Sequence, residues 1–271
     1  MRLRSIVLLV IAAALVAPSP ASAAPTWAPA ATATIKPGVQ TFTDGGQCTA
    51  NFVFFDGAGD VYIGQAAHCA GTGAATETDG CDSGSHPLGT PVRVSGASHP
   101  GTLAYSSWIA MQQNGEQDEN TCAYNDFALI RLDRRDQGKV NPSVPVWGGP
   151  TKLGGDTTLG SKVYTYGNSS LRLGLSLLSP KEGYSLGETG DGWSHDVYTV
   201  TPGVPGDSGS PFLAADGAGL GTLSTVAILP FPASNGVSDL AKEVAYMQRS
   251  GGFNKMRLAL GTEPFRRGLL P

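Results

Sequence analysis

The sequence predicts an all-β fold that ends in a single helix. Only 15% of the 271 residues are charged, while the chain has 37 glycines and 19 prolines. This composition suits many short strands joined by turns. In the segment 52–64, two short apolar runs flank a turn rich in Gly and Asp, which predicts a β-hairpin. Near the C-terminus the pattern changes, because Leu240, Val244 and Met247 recur at the spacing of one helix face.

The first 23 residues have the layout of a secretory signal peptide. Arg2 and Arg4 precede an apolar run over residues 6–16, and small residues follow at 21–23. The apolar run is too short for a typical membrane-spanning helix, so a retained anchor is the weaker alternative. We expect cleavage after Ala23, secretion to the extracellular space, and no contact with a membrane afterwards.

Composition divides the remaining chain into three parts. Residues 24–34 are mostly Ala, Pro and Thr, and predict a short, extended and weakly ordered leader. A connector rich in proline and glycine then separates a strand-rich first half, residues 35–145, from a second half, residues 146–271, which includes the helix.

Charge and ligand spacing argue against several classes of function. The formal net charge of −4 becomes more negative once Arg2 and Arg4 leave with the signal peptide, and no basic cluster remains. Nucleic-acid binding is therefore disfavoured, because it depends on neutralising phosphates. Asp79, Asp82 and His86 are the nearest approach to a metal site, but their spacing matches no established ligand pattern. We expect neither a metal nor an organic cofactor.

The chain has four cysteines, Cys48, Cys69, Cys81 and Cys122. An even number of cysteines in an exported chain predicts two disulfides, for which three pairings are possible. Their spacing lacks the short paired intervals of a structural zinc site.

The stretch 205–211 contains a serine, Ser208, that is preceded by Asp207 and flanked by glycines. A serine hydroxyl needs a neighbouring base to act as a nucleophile. Glycine allows a tight turn that can direct the N–H groups of Gly206 and Ser208 at one point, as an oxyanion requires. A simple loop of turn-forming residues is the alternative interpretation.

Two further residues could complete a catalytic site with this serine. His68 follows a predicted strand and stands next to Cys69, so a disulfide would fix the imidazole as a general base requires. Asp126 stands at the start of an apolar strand, where it could accept from the imidazole and fix its tautomer. A structural histidine and a turn-capping carboxylate are the alternatives.

Three motifs occur in the order Ala66-Ala67-His68-Cys69, Asp126-Phe127-Ala128-Leu129 and Gly206-Asp207-Ser208-Gly209. In this order they resemble the trypsin/chymotrypsin-like serine proteases, and the secreted bacterial members in particular. The resemblance implies two six-stranded antiparallel barrels with the active site between them. It also implies a disulfide between Cys48 and Cys69, which leaves Cys81 with Cys122.

The same resemblance implies roles for individual residues. Ser208 is the nucleophile, His68 the general base and Asp126 the residue that orients it, while the N–H groups of Gly206 and Ser208 form the oxyanion hole. We expect the residues before the nucleophile and one residue of a later strand to contact substrate: Pro202, Gly203, Val204, Pro205 and Ser224.

The chain departs from the family pattern at three places. Ser210 stands where the family usually has glycine. No acidic residue lies near the pocket base at Pro202, so cleavage after apolar or small residues is favoured, unless Asp191 or Asp239 reaches in from another loop. The segment from Ile35 only faintly matches the usual mature N-terminus of the family. It is therefore open whether a new N-terminus pairs with Asp207 to order the oxyanion hole.

The sequence thus predicts a secreted, monomeric serine endopeptidase that acts on polypeptides. A non-catalytic binding protein on the same fold is one alternative, because a fold alone does not determine function. An esterase is the other, since the same catalytic groups cleave esters.

Overall fold

A computed structural model describes residues 25–74, 77–226, 232–250 and 252–268. The predicted signal peptide, residues 1–23, lies outside the described residues. Within the described ranges, no helix has both the length and the apolar character needed to cross a membrane.

The described residues form a mostly β structure of fourteen strands and three α-helices. The strands are β1 (Gln40–Thr43), β2 (Gly46–Thr49), β3 (Val53–Phe55), β4 (Val61–Gln65), β5 (Pro91–Val94), β6 (Gly101–Ser106), β7 (Ala128–Arg131), β8 (Lys162–Tyr166), β9 (Pro180–Thr189), β10 (Ser194–Thr199), β11 (Pro211–Ala214), β12 (Gly219–Val226), β13 (Asn235–Asp239) and β14 (Arg257–Leu258). The helices are α1 (Ser107–Asn114), α2 (Glu119–Tyr124) and α3 (Leu240–Ser250).

The second half of the chain forms a closed antiparallel barrel. Its six strands follow the order β10-β13-β12-β11-β8-β9. Alternating side chains point inward and build a small apolar core that includes Val163, Phe212, Leu220 and Val237. The stretch with Ser208 lies between β10 and β11 of this barrel.

The first half forms a curled antiparallel sheet of eight strands in the order β14-β3-β4-β7-β6-β5-β1-β2. Here β3 pairs with β4 as the predicted hairpin. The prediction of an all-β fold with two barrel-like halves and a C-terminal helix is confirmed. The first half nevertheless differs in detail from a closed six-stranded barrel, because β14 and β2 extend its two edges.

Helix α3 joins the two halves. Its apolar residues Leu240, Val244 and Met247 are buried in the core that the first half builds around Phe52 and Phe127. The helix also packs against β12 of the second barrel and against α1. The predicted apolar face of the helix is therefore present, but the helix packs against both halves of the molecule and not against the second half alone.

The leader packs against the first half. The N–H of Ala28 donates to the carbonyl of Val140 at 2.9 Å, and the side-chain amide of Asn141 returns a bond to the carbonyl of Ala28 at 2.7 Å. The ring of Trp27 meets that of Phe55 edge to face, with centroids 6.2 Å apart. Residues 25–34 are therefore part of the fold, in contrast to the weak order expected for them.

Two disulfides are present, Cys48–Cys69 and Cys81–Cys122. This is the pairing that the resemblance implies. The first bond ties β2 to a short 3₁₀ turn, Ala67–Ala70, which carries His68. The turn is thereby attached to the edge strand that faces the second barrel's Ser208 loop, because Thr49 N donates to Ser208 O at 2.8 Å.

Candidate active site

His68 and Asp126 form a close pair at the junction of the two halves. The imidazole Nδ1 lies 2.7 Å from Asp126 Oδ2, and the backbone N–H of His68 donates to Asp126 Oδ1 at 2.8 Å. Asp126 is 3% exposed, and the His68 side chain is 26% exposed. A carboxylate that holds both the backbone and the ring of a histidine fixes the ring's orientation and leaves Nε2 free for chemistry.

Ser224 is a third partner of this pair that the sequence did not reveal. Its hydroxyl donates to Asp126 Oδ2 at 2.6 Å, so the carboxylate accepts three hydrogen bonds. Ser224 was predicted to contact substrate, and it does line the cleft described below. Its side chain, however, points to the aspartate.

The environment of the pair favours its charged form. Burial alone would lower the pKa of His68, but the charge and hydrogen bond of Asp126 raise it above its ordinary value of 6.5. Burial likewise works against ionisation of Asp126, yet His68 and the hydroxyl of Ser224 bring its pKa below 3.8. His68 is thus a somewhat stronger base than a free imidazole.

Ser208 shares a cleft with His68. Among the hydrogen bonds of the described residues, none joins the Ser208 hydroxyl to the imidazole of His68. Such bonds are often long without substrate and tighten in the substrate complex. The structure therefore brings Ser208 and His68 to the same cavity and the His68–Asp126 pair into direct contact.

The loop before Ser208 has its carbonyl groups turned into the protein. Gly206 O accepts from Thr49 Oγ1 at 2.7 Å and from Gln47 Nε2 at 3.0 Å. In the described part of the chain, the N–H groups of Gly206 and Ser208 have no protein acceptor. Gly206 has a φ of +95°, and a Cβ there would come within 2.3 Å of Gln47 Oε1. Glycine is therefore required, and two N–H donors stay available for an anion.

Asp207 is held by two cations from its own chain. Its Oδ2 lies 2.5 Å from Arg172 Nη2 and 2.8 Å from Lys181 Nζ, and the carboxylate is fully buried. Burial opposes its charge, but Arg172 and Lys181 together lower the pKa of Asp207 below 3.8. Ile35, the residue compared with the family's usual mature start, is bonded to Lys139 O at 3.2 Å instead.

Ser210 fits the site without disturbing it. The side chain is buried, and its hydroxyl donates back to the carbonyl of Asp207 at 2.5 Å. Ser210, which departs from the family pattern, thus adds a bond within the loop that carries Ser208.

The cleft has a volume of about 820 Å³. Of the residues predicted to bind substrate, Gly203, Val204, Pro205 and Ser224 line it. Pro202 does not, and its carbonyl accepts from Lys181 Nζ at 3.3 Å instead.

The wall of the cleft next to Ser208 is uncharged in the described residues. It consists of residues 203–205 and the end of β12, with apolar side chains from Val204, Leu223 and Val226. Asp239, which could have supplied a charge, is bonded to His195 Nε2 at 3.0 Å. The carboxylates that do line the cleft, Asp44 and Glu77, come from the segments around β1 and residues 71–78.

Two groups of side chains in the described residues have the geometry to surround a metal ion. One consists of Cys48, His68 and Cys69, and the other of Asp79, Cys81 and Cys122. In both groups the cysteines are joined by disulfides, so their sulfurs are not available as thiolate ligands.

Comparison with known proteins identifies the fold. No protein-family model and no curated protein matches the chain. Among solved structures, Thermobifida fusca protease A superposes with a TM-score of 0.52 at 16% identity, covering 84% of this chain and 99% of that protein. Cellulomonas bogoriensis chymotrypsin gives 0.48 at 18% identity over 83% and 98%, and Nocardiopsis protease gives 0.47 at 16% identity over 83% and 98%. The superposition on protease A, together with the two β halves, shows that the chain has the chymotrypsin-like fold.

Proposed function

We propose that the protein is a secreted serine endopeptidase with His68, Asp126 and Ser208 as its catalytic triad. The observation that carries the proposal is the contact of His68 with the buried Asp126, with 2.7 Å between Nδ1 and Oδ2, in the same cleft as Ser208. A histidine whose ring is fixed on one side by a carboxylate is suited to accept a proton on the other.

In the first half of the reaction, Ser208 Oγ attacks the carbonyl carbon of the scissile peptide bond. Nε2 of His68 takes the proton of the hydroxyl, and Asp126 stabilises the imidazolium that results. The N–H groups of Gly206 and Ser208 hold the oxyanion. Nε2 then gives its proton to the leaving amine as the C–N bond breaks, which leaves an acyl-enzyme on Ser208.

In the second half, water replaces the amine. His68 accepts a proton from the water as its oxygen attacks the acyl carbon, and returns that proton to Ser208 Oγ as the ester bond breaks. The product carboxylic acid leaves and the enzyme returns to its initial state. This sequence needs no group beyond the residues named.

The uncharged wall beside Ser208 supports a preference for apolar or small side chains at the cleavage site. A lysine or arginine side chain buried against Val204, Leu223 and Val226 would lose hydration without gaining a partner. The acidic side chains Asp44 and Glu77 lie elsewhere on the cleft lining, in the segments that precede and follow His68.

Digestion of casein tests this proposal. The purified protein is expected to cleave casein at internal sites, and sequencing of the products should show apolar or small residues before the cuts. The Ser208→Ala variant, which removes one hydroxyl from the cleft and no atom of the buried core, is the control for a contaminating protease. Turnover of short acyl esters without casein cleavage would favour the esterase, and no turnover of either would favour the binding protein.

We also propose that the chain is exported and loses residues 1–23. The two disulfides support an oxidising destination, because such bonds persist mainly outside the cytosol. N-terminal sequencing of the protein from culture medium should begin at Ala24, and size-exclusion chromatography should give a monomer.

A further inference from the structure

Glu243 is a buried carboxyl group directly behind the proposed catalytic aspartate. It belongs to α3 and is 0% exposed. Its Oε1 faces the backbone N–H of Asp126 at 3.3 Å, and its Oε2 lies 3.2 Å from Thr222 Oγ1. Thr222 in turn accepts from Asn51 Nδ2 at 3.2 Å. A chain of hydrogen bonds therefore runs from the first half through β12 and α3 to Asp126.

The groups that face Glu243 make its ionisation unfavourable. Burial contributes most, and the carboxylates of Asp126 and Asp239 add to it. These effects outweigh the hydrogen bonds from Thr222 and from the N–H of Asp126, so that the pKa of Glu243 is well above 4.5. The phenol of Tyr105 on β6 is another titratable neighbour of Glu243. The imidazoles of His68 and His195 are hydrogen-bonded to these same two aspartates, Asp126 and Asp239. None of the ion pairs among the described residues includes Glu243.

We propose that Glu243, as a neutral carboxylic acid, is a positioning residue that holds the backbone of Asp126 from behind. The inference rests on the proposed function, since it assigns Asp126 to catalysis. A neutral acid suits this place because it adds no second negative charge beside Asp126. Oε1 accepts the N–H of Asp126, while Oε2 accepts from the hydroxyl of Thr222.

An anionic Glu243 would have the opposite effect. Two carboxylates in a dry environment repel each other strongly, and Asp126 already has three donors that stabilise its charge. The negative charge therefore stays on Asp126 and the proton on Glu243. If Glu243 were absent, a buried N–H next to the triad would lose its acceptor, which is costly and would loosen the carboxylate.

Glutamine and leucine replacements separate these roles. Glu243→Gln retains a neutral acceptor and a donor, so we expect kcat within about threefold of the wild type and the same acid limb of the pH profile. Glu243→Leu has a similar volume without polar atoms, so we expect kcat to fall roughly tenfold or more while KM changes little. A leucine variant with wild-type kcat, or a glutamine variant as impaired as the leucine one, would overturn the proposal.

A second measurement tests the protonation of Glu243 without any use of activity. Unfolding by urea is followed between pH 5 and 7 for Glu243→Gln and its parent, both in a Ser208→Ala background that prevents self-digestion. An unfolded glutamate ionises near pH 4.5 while the folded one stays neutral, so unfolding releases a proton only in the parent. The ratio of the parent's unfolding constant to the variant's should therefore rise about tenfold per pH unit.

A flat ratio over this range would show that Glu243 is already ionised in the folded protein, and would overturn the proposal. This result does not depend on the proposed function. A chain with no hydrolytic activity but a rising ratio would refute the protease and its positioning residue, yet leave the neutral acid established.

Discussion

Lys181 Nζ lies 2.8 Å from Asp207 Oδ2 in the interior of the second barrel. Together with Arg172 it supplies the positive charge that the buried Asp207 needs, from positions on the same half of the chain. Asp207 stands between the two residues whose N–H groups are available for an oxyanion. The shape of the loop that carries Ser208 is therefore set by side chains of the second barrel itself, which are in place once that barrel has folded.

Removing one of the two cations that bind Asp207 should disturb the loop that carries Ser208 and lower activity. We expect Lys181→Met to lower kcat/KM roughly tenfold and the free energy of unfolding by about 2 kcal/mol, because a buried charge-assisted hydrogen bond is lost. Steady-state kinetics and urea unfolding measure both effects. Lys162→Met is the matched control, since Lys162 lies on the adjacent strand β8 in an exposed pair with Glu182. Equal effects of the two substitutions would contradict this role of Lys181.

The hydroxyl of Thr49 should hold in place the loop that carries Gly206 and Ser208. It donates to Gly206 O at 2.7 Å and accepts from Asn168 N at 3.1 Å. We expect Thr49→Val to lower kcat about tenfold with little change in KM, because the donors that bind the oxyanion lose their support. Thr49→Ser should restore most of kcat. Thr41→Val serves as a control, because the buried hydroxyl of Thr41 has no partner in the described structure.

The acid limb of the pH profile should reflect His68. The neutral imidazole is the active form, so activity rises as pH increases through the pKa of His68. Since Asp126 raises that pKa above 6.5, the half-maximal point of kcat/KM should lie above pH 6.5. Measuring kcat/KM from pH 4 to 9 tests this. A half-maximal point below pH 6 would exclude the assigned base.

Inactivation at pH 5 should be reversible. Asp207 has a folded pKa below its unfolded value, so its contribution to stability is present above about pH 3.9 and is lost only as pH falls through the lower, folded value. Protonation of His68 therefore removes activity before Asp207 is protonated. Activity should return in full after an hour at pH 5, and a permanent loss would show that the loop unfolds earlier than expected.

The two disulfides should contribute differently to stability and activity. Loops of 21 and 41 residues predict a loss of about 3 kcal/mol without Cys48–Cys69 and about 4 kcal/mol without Cys81–Cys122 in the chain-entropy model. Double serine variants and urea unfolding test the order. Only the first bond is attached to the turn that carries His68, so only its loss should lower kcat of the folded protein. Equal kcat in both variants would argue against that attachment.

Local motifs were enough to predict the fold and to indicate His68, Asp126 and Ser208 as candidate catalytic residues. His68, Asp126 and Ser208 each stand in a short segment whose turn or strand pattern is visible in the sequence. The same holds for α3, where the spacing of Leu240 and Val244 marks the buried face.

The partners of these residues could not be predicted, because they depend on tertiary contacts between distant segments. Ser224 donates to a carboxylate that precedes it by 98 positions, and Lys181 reaches the loop residue Asp207 from strand β9. Glu243 is the clearest case. In a helix sequence a glutamate indicates the solvent face, whereas Glu243 is fully buried, and burial and the neighbouring carboxylates raise its pKa.

The most direct test of the triad is covalent labelling by a fluorophosphonate. The reagent reacts with a serine that is activated by a histidine and whose adduct is stabilised by an oxyanion hole. We expect one adduct per molecule, located on Ser208 by peptide mass spectrometry, and a rate that falls about a thousandfold or more in His68→Ala. An unlabelled wild-type protein, or an adduct on another serine at an equal rate in both proteins, would contradict the assignment of Ser208, His68 and Asp126 as a catalytic unit.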